Sequence, residues 1–257
     1  MFKTTTITAL LLAASGAAFA QADSPEPNYS LTFNAGAVTD YRVRGIAQTS
    51  FKPALQVGAD FAHKNGFYLG TFASNVRWVK EFNGATKGSY EVDLYGGFKD
   101  AISSTLTYDV GLITYQYPGN NSGRAGTPGA GLFANASTTE VYGSLSYRMF
   151  TLKYNRSLSN FLGNLDSKGS QYFDLSAAFD MGQGFTLTPH IGRQLIPRQA
   201  LPGNYNDASL TLAKDLRNGL VLSATAVTTD ADRSFYTDFN GRYLGRGTLL
   251  VGAKYSF

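Results

Sequence analysis

The sequence predicts an all-β protein: a single antiparallel, up-and-down transmembrane β-barrel of about twelve strands, preceded by a cleaved signal peptide. Three observations lead there. Apolar and polar residues alternate with period two through most of the chain after Tyr29. The connections between these runs alternate between short and long. Aromatic residues gather beside the short connections.

The chain opens with an export address. Lys3 supplies a positive start, Ile7 to Ala18 an apolar stretch, and Ala18-Phe19-Ala20 a small-residue cleavage site. The apolar stretch is too short for the roughly 20 residues of a spanning helix. Residues 1–20 are therefore expected to be removed, and 21–28 form a short polar lead-in to a barrel over 29–257. Removal takes away one base and no acid, so the formal charge of +4 becomes +3. That balance, with export, argues against nucleic acid as a partner.

Twelve runs follow in order. They begin at Leu31-Thr32-Phe33, Leu55, Phe67, Tyr90, Leu106, Val141, Phe150, Phe173, Phe185, Ala208, Leu220 and Leu249. In most of them the apolar register is clear. In the third, Phe67-Tyr68-Leu69-Gly70-Thr71-Phe72, it is ambiguous, and Pro189 interrupts the ninth, because proline has no N–H to give a ladder. A bulge or local loss of pairing is expected there. Short connections fall near His63–Gly66, Lys99–Ser103, Arg148-Met149, Met181–Gly184 and Asp215–Gly219. Long ones fall near Asp40–Lys52, Arg77–Gly88, Tyr117–Thr138, Arg156–Ser170, Arg193–Asn204 and Thr229–Gly247. All long loops at one end is the plan of a bacterial outer-membrane barrel, whose edges must close because hydrocarbon offers unpaired backbone no partner.

Composition agrees. Charged residues make up 16% of the chain, while 18 Phe, 16 Tyr and 28 Gly favour strands and turns. With no Cys there are no disulfides and no thiolate metal sites, and two His leave little room for a metal; no cofactor is expected.

Several segments resemble the TorF-type porin family, proteobacterial outer-membrane proteins long of unknown function. The specific stretch is Thr39-Asp40-Tyr41-Arg42-Val43-Arg44-Gly45-Ile46 with Lys52-Pro53-Ala54-Leu55-Gln56-Val57-Gly58 and Gly66-Phe67-Tyr68-Leu69-Gly70-Thr71-Phe72-Ala73-Ser74-Asn75-Val76. Glu91-Val92-Asp93-Leu94-Tyr95-Gly96-Gly97, Tyr115-Gln116-Tyr117-Pro118-Gly119 and Thr139-Glu140-Val141-Tyr142 extend it. The terminal Tyr255-Ser256-Phe257 is similar to the C-terminal aromatic signal read by the barrel assembly machinery. The resemblance implies a barrel and a pore in the outer membrane of a Gram-negative bacterium. It implies no reaction.

If the apolar registers face lipid, the opposite registers line a lumen. That set holds Asp60, Glu91, Asp93, Asp109, Glu140, Asp174 and Asp207, with Lys153, His190 and Lys254. Acids are costly in hydrocarbon, which supports this facing. The expected function is passive diffusion of small polar solutes through a narrow pore, with outer-membrane lipid and lipopolysaccharide around it. Arg42 and Arg44, at the start of the first long loop, either fold inward onto the acidic wall or form a solvated loop pair. Two other readings stand beside the pore: a receptor or structural barrel without an open passage, and a lipid-modifying enzyme. The enzyme is the weaker. His63 lies in a short turn, and His190 is followed by Ile191-Gly192 with no hydroxyl two residues on, so no catalytic residue is assigned. The solute, the oligomeric state and the exact strand count stay open.

Overall fold

The computed structural model describes residues 27–257. The expected signal peptide, its cleavage residues Ala18 and Ala20, and most of the polar lead-in lie outside them. The barrel strands are β1 (Tyr29–Val38), β4 (Ala54–His63), β5 (Phe67–Asn75), β6 (Tyr90–Ala101), β7 (Leu106–Gln116), β8 (Thr138–Tyr147) and β9 (Phe150–Ser157). They continue with β10 (Gln171–Ala177), β11 (Phe179–Gly182), β12 (Phe185–Leu195), β13 (Tyr205–Asp215), β14 (Leu220–Thr229) and β15 (Thr248–Ser256). Successive strands pair antiparallel except β10 and β11, which do not pair with each other and both pair with β12; β1 pairs with β15. Since β10 and β11 form one broken stave, twelve staves close into a barrel. The last residue takes part in the closure. Phe257 and Phe33 exchange two backbone hydrogen bonds of 2.9 Å, and their rings stack at 6.1 Å.

The alternation decides the facing. Leu31, Leu55, Val57, Leu94, Val110, Leu112, Leu145, Leu152, Leu249 and Val251 are exposed on the outside, while Glu91 and Glu140, at most 1% exposed, point in. Exposed leucine and valine in a continuous ring, around buried acids, is the reverse of a water-soluble fold and the pattern of a transmembrane barrel. Among the described residues no helix is long and apolar enough to cross a membrane. At the short-turn end Phe67, Tyr147, Phe150, Phe179, Phe185, Tyr255 and Phe257 are exposed on the outside, where aromatic rings sit well between lipid and water.

The ambiguous third run turns Tyr68, Gly70, Phe72 and Ser74 inward and Phe67, Leu69 and Thr71 outward. Tertiary contacts choose this register. The Tyr68 hydroxyl donates to Asp109 at 2.6 Å, and the Phe72 ring lies 5.9 Å from that of Tyr41. Pro189 has the expected local effect on one side only. Pairing between β10 and β12 runs to Ser176–His190 and resumes between β11 and β12 at Phe179–Leu187, with Pro189 standing in the gap. On its other side Pro189 stays in register with Leu210.

The long loops fold over and into the barrel mouth. The first contains a miniature hairpin, β2 (Arg42–Val43) and β3 (Ile46–Ala47), and the second and sixth contain single helical turns, α1 (Trp78–Glu81) and α2 (Arg233–Tyr236). Ile46, Ala47, Tyr205, Ala231, Tyr236 and Leu244 form one buried cluster, and Val76, Trp78, Val79, Ala85, Tyr117 and Ala136 another. The longest loop, whose glycines suggest a flexible segment, is tied to its neighbour by Ala134 N–H donating to the Gly163 carbonyl at 2.7 Å, and by Phe133 and Asn164 bridging. The facing makes a simple prediction. Leu112→Arg, on the lipid side near mid-strand, should destabilise the barrel by about 2–4 kcal/mol. Inward Ser144→Arg should cost clearly less. Urea unfolding in lipid vesicles measures both, and equal losses would contradict the assigned facing.

Candidate functional site

The inner wall is built from carboxylates and tyrosines. The Tyr95 hydroxyl donates to Asp60, and Tyr68 donates to Asp109 at 2.6 Å while its hydroxyl also meets that of Tyr142. Tyr172 donates to Asp207 at 3.0 Å. Glu91, fully buried, accepts from Tyr41 at 2.6 Å and Tyr117 at 2.7 Å. The Tyr95–Asp60, Tyr68–Asp109 and Tyr172–Asp207 bonds skip a strand, and glycine makes that possible. Asp60, Gly70 and Tyr95 are aligned across β4, β5 and β6, so the Tyr95 ring lies flat over Gly70. A Cβ on Gly70 would come within 2.4 Å of that ring and 2.7 Å of the Asp60 carboxylate. Gly192 plays the same part between Asp174 and Asp207, where a Cβ would fall 2.1 Å from the Tyr172 hydroxyl.

Sequence reading found the acids and missed their phenolic partners. A signal was present. Asp93 and Tyr95, Glu140 and Tyr142, Tyr172 and Asp174, and Tyr205 and Asp207 all recur at i, i+2 and so share the inward face. Alternation gives each tyrosine its face but not its hydrogen-bond partner on another strand.

The first loop adds a cation. Arg44 and Gly45 form the two-residue turn between β2 and β3, with φ of 49° and 78°, the left-handed pair that a tight hairpin turn requires. The turn projects Arg44 into the lumen. Its guanidinium donates to Glu140 at 2.6 Å and to the Gln194 side-chain oxygen at 2.8 Å, and stacks on Tyr172 at 4.4 Å from the ring centre. The Tyr205 hydroxyl donates to the Arg44 carbonyl at 3.0 Å. Burial disfavours the guanidinium's charge, but the Glu140 carboxylate more than offsets this and holds its proton affinity above the ordinary range. Arg42 ends elsewhere. It pairs with Asp40 of its own loop at 2.7 Å and donates to the carbonyls of Gly45, Leu244 and Arg246, stapling the first loop to the sixth.

The remaining candidates divide in the same way. Glu91, Asp93, Glu140, Asp60 and Asp207 are buried on the inner wall. The Lys153 ammonium lies 4.2 Å from the centre of the Tyr142 ring, and Lys254 occupies the inward register of β15. His190 contacts Asp174 through Nε2 at 2.9 Å and faces Asp207 through Nδ1 at 3.6 Å. Ser176 and Ser209 are its cross-strand neighbours, yet both ring nitrogens are directed at carboxylates. The hydroxyl within reach of Nε2 is the Tyr172 phenol at 3.2 Å, which also donates to Asp207 at 3.0 Å and so is held as part of the wall rather than set up as a nucleophile. Among the described residues no cluster of His, Cys, Asp or Glu suits a metal ion.

At the loop end Glu81 joins three loops. It accepts from Ser50 of the first, from Arg77 just before its own helical turn at 3.2 Å, and from Arg242 of the sixth at 2.9 Å. Partial burial would raise its carboxyl pKa, but Ser50 and Arg242 outweigh that and hold it below the ordinary value.

Comparison with known proteins agrees with this architecture. A family model described as "Bacterial protein of unknown function (Gcw_chp)" matches residues 20–257. Among curated proteins none matches. Of solved structures, the KdgM porin in complex with disordered oligogalacturonate superposes with a TM-score of 0.53 at 8% identity, covering 88% of this chain and 98% of that one. A TodX monoaromatic hydrocarbon channel mutant gives 0.51 at 13% identity, covering 91% and 90%. At these identities the likeness is one of fold.

Two predictions follow from the site. Gly70→Val should displace the Tyr95 ring from Asp60 and destabilise the barrel by about 1–3 kcal/mol, read as an earlier unfolding transition in urea. An unchanged transition would remove the close-approach argument. For Glu81 the folded pKa is depressed, so its stabilisation of the cap is complete at neutral pH and fades as pH falls below about 4. Limited proteolysis should then show the second and sixth loops becoming cleavable in acid, and Glu81→Gln should make them cleavable at neutral pH.

Proposed function

The chain belongs to the Gcw_chp family, and we propose that this member is an outer-membrane channel for passive diffusion of small polar solutes, narrowed where Arg44 meets Glu140. The observation that carries the proposal is this pair. A loop arginine, 8% exposed at its side chain, reaches into the lumen and ends on a carboxylate of the barrel wall 96 residues away. An apolar exterior suits the bilayer, and an interior of carboxylates, phenols and a guanidinium suits hydrated solutes rather than apolar ones. The resemblance to TorF-type porins is consistent with the same role. The similar solved structures are a porin seen with oligogalacturonate and a hydrocarbon channel, solutes of opposite polarity, so the fold does not choose the solute. The wall does. The chain is read as a non-enzyme: His190 is held between Asp174 and Asp207, and the hydroxyl beside it is the Tyr172 phenol, itself bonded to Asp207.

A second reading rests on the loops. Ala47, Thr49, Val79 and Ala136 are 0% exposed, and the space beside Arg44, bounded by Ala47, Trp78, Phe161 and Tyr236 among others, is only about 40 Å³. So dense a cap favours a receptor or structural barrel whose passage is closed at rest. Single-channel recording in planar bilayers separates the two. The channel reading expects conductance from wild type. It also expects that Arg44→Ala raises conductance and shifts selectivity toward cations, because the acidic wall then lacks its counter-charge. Silence from folded wild type and from Arg44→Ala alike would leave the closed barrel.

A further inference from the structure

The cap holds a second feature that neither the lumen nor its constriction uses. Between the first and sixth loops lies an open pocket of about 630 Å³, lined by eight residues that include Phe51, Lys52, Arg233, Arg242, Tyr243 and Arg246. Four of the eight are cations. Arg242 is already neutralised by Glu81 and Asp238, each at 2.9 Å. The other three are exposed, and none has a carboxylate or hydrogen-bond partner for its side chain among the described residues. The nearest acid by sequence, Asp232, is turned to the first turn of α2, where it accepts from the Ser234 N–H at 2.7 Å.

Two of the free cations are held in place without spending a donor. Arg246 lies 3.8 Å over the Phe51 ring, and Arg233 lies 4.4 Å over the Tyr243 ring. Stacking on a ring fixes the plane of a guanidinium and leaves its N–H groups at the edge free to bind. Arg42 touches the far side of the matter. Burial lowers its proton affinity and the Arg246 charge lowers it further, against the support of Asp40, which marks a crowding of like charge at this spot. Like charges held together in a fixed pocket repel each other until a counter-charge enters.

We infer that this pocket binds a ligand carrying at least two phosphate groups through Lys52, Arg233 and Arg246. A volume of about 630 Å³ exceeds a single anion and is within the range of small-molecule sites. Planar guanidinium pairs match the geometry of phosphate oxygens. The inference needs only the loop cap and stands whether or not the barrel conducts.

The phosphates have two possible sources, a free solute or the headgroup of a neighbouring outer-leaflet lipid, and the test separates them. Barrel in phosphatidylcholine nanodiscs is titrated calorimetrically with inorganic pyrophosphate. The same barrel is then assayed for retention in nanodiscs containing lipid A. Each is repeated with Lys52→Ala/Arg233→Ala/Arg246→Ala, whose folding is checked by heat-modifiable gel migration, and with Arg148→Ala in a short turn at the other end as control. Pyrophosphate binding that weakens at least about tenfold in the triple variant and with added salt, but not in the control, supports the free-solute source. Loss of lipid A retention in the triple variant, without pyrophosphate binding, supports the headgroup source. Binding in neither arm, or binding equal in wild type and triple variant, overturns the inference. Conductance measured on the same samples keeps a failure here distinct from a failure of the channel reading.

Discussion

Ionised or hydrogen-bonding carboxylates inside a lipid-embedded barrel need partners that the wall itself supplies, and the rest of this structure is arranged around that need. The partner is most often a tyrosine whose ring lies flat over glycine and whose hydroxyl reaches an acid two strands away, as Tyr95 does over Gly70 to Asp60. Each such bond links three neighbouring strands and fixes their register, because a one-residue slip would carry both groups to the lipid face. The abundant glycine and tyrosine of the chain therefore have a common cause.

The same logic extends to the loops. Glu140 accepts from Asn155 at 3.2 Å and from Arg44, which is delivered from the first loop by a two-residue turn. Bringing a guanidinium into the lumen requires the loop to follow it, and the loop then needs its own burial. Ile46 and Ala47 behind the turn meet Tyr205, Tyr236 and Leu244, which draws the sixth loop inward. Glu81 ties the second loop to both. One ion pair at the wall thus sits beneath a packed cap of three loops, and any opening of the passage has to move that cap or thread past it.

The cap also separates two electrostatic environments. Below it, carboxylates outnumber cations on the wall, and their charge is met by tyrosine hydroxyls, Arg44, His190 and Lys153. At the loop end, Lys52, Arg233 and Arg246 stand without acids. A solute approaching from that side meets positive charge first and an acidic, phenolic wall afterwards. Such an order favours collecting anions at the surface over conducting them, and it makes the mouth and the lumen independent in what they recognise.

The sequence alone determined the barrel. Period-two alternation assigns lipid and lumen faces residue by residue, because a pleated strand turns successive side chains to opposite sides, and the loop-length rhythm sets the strand order. It also placed the acids on the inner face and offered Arg42 and Arg44 together as their loop partners. What it left undecided depended on contacts between distant segments. The register of Phe67–Phe72 has aromatics on both faces, and only Asp109 and Tyr41, far away in sequence, select Tyr68 and Phe72 as inward. Arg42 and Arg44 read alike in sequence, one residue apart. The left-handed turn at Arg44-Gly45 sends one to Glu140, while the carbonyls of the sixth loop hold the other. Tyrosine was the hardest to read, since it is apolar in lipid and polar against an acid, and only the strand alignment over Gly70 and Gly192 shows which part it plays.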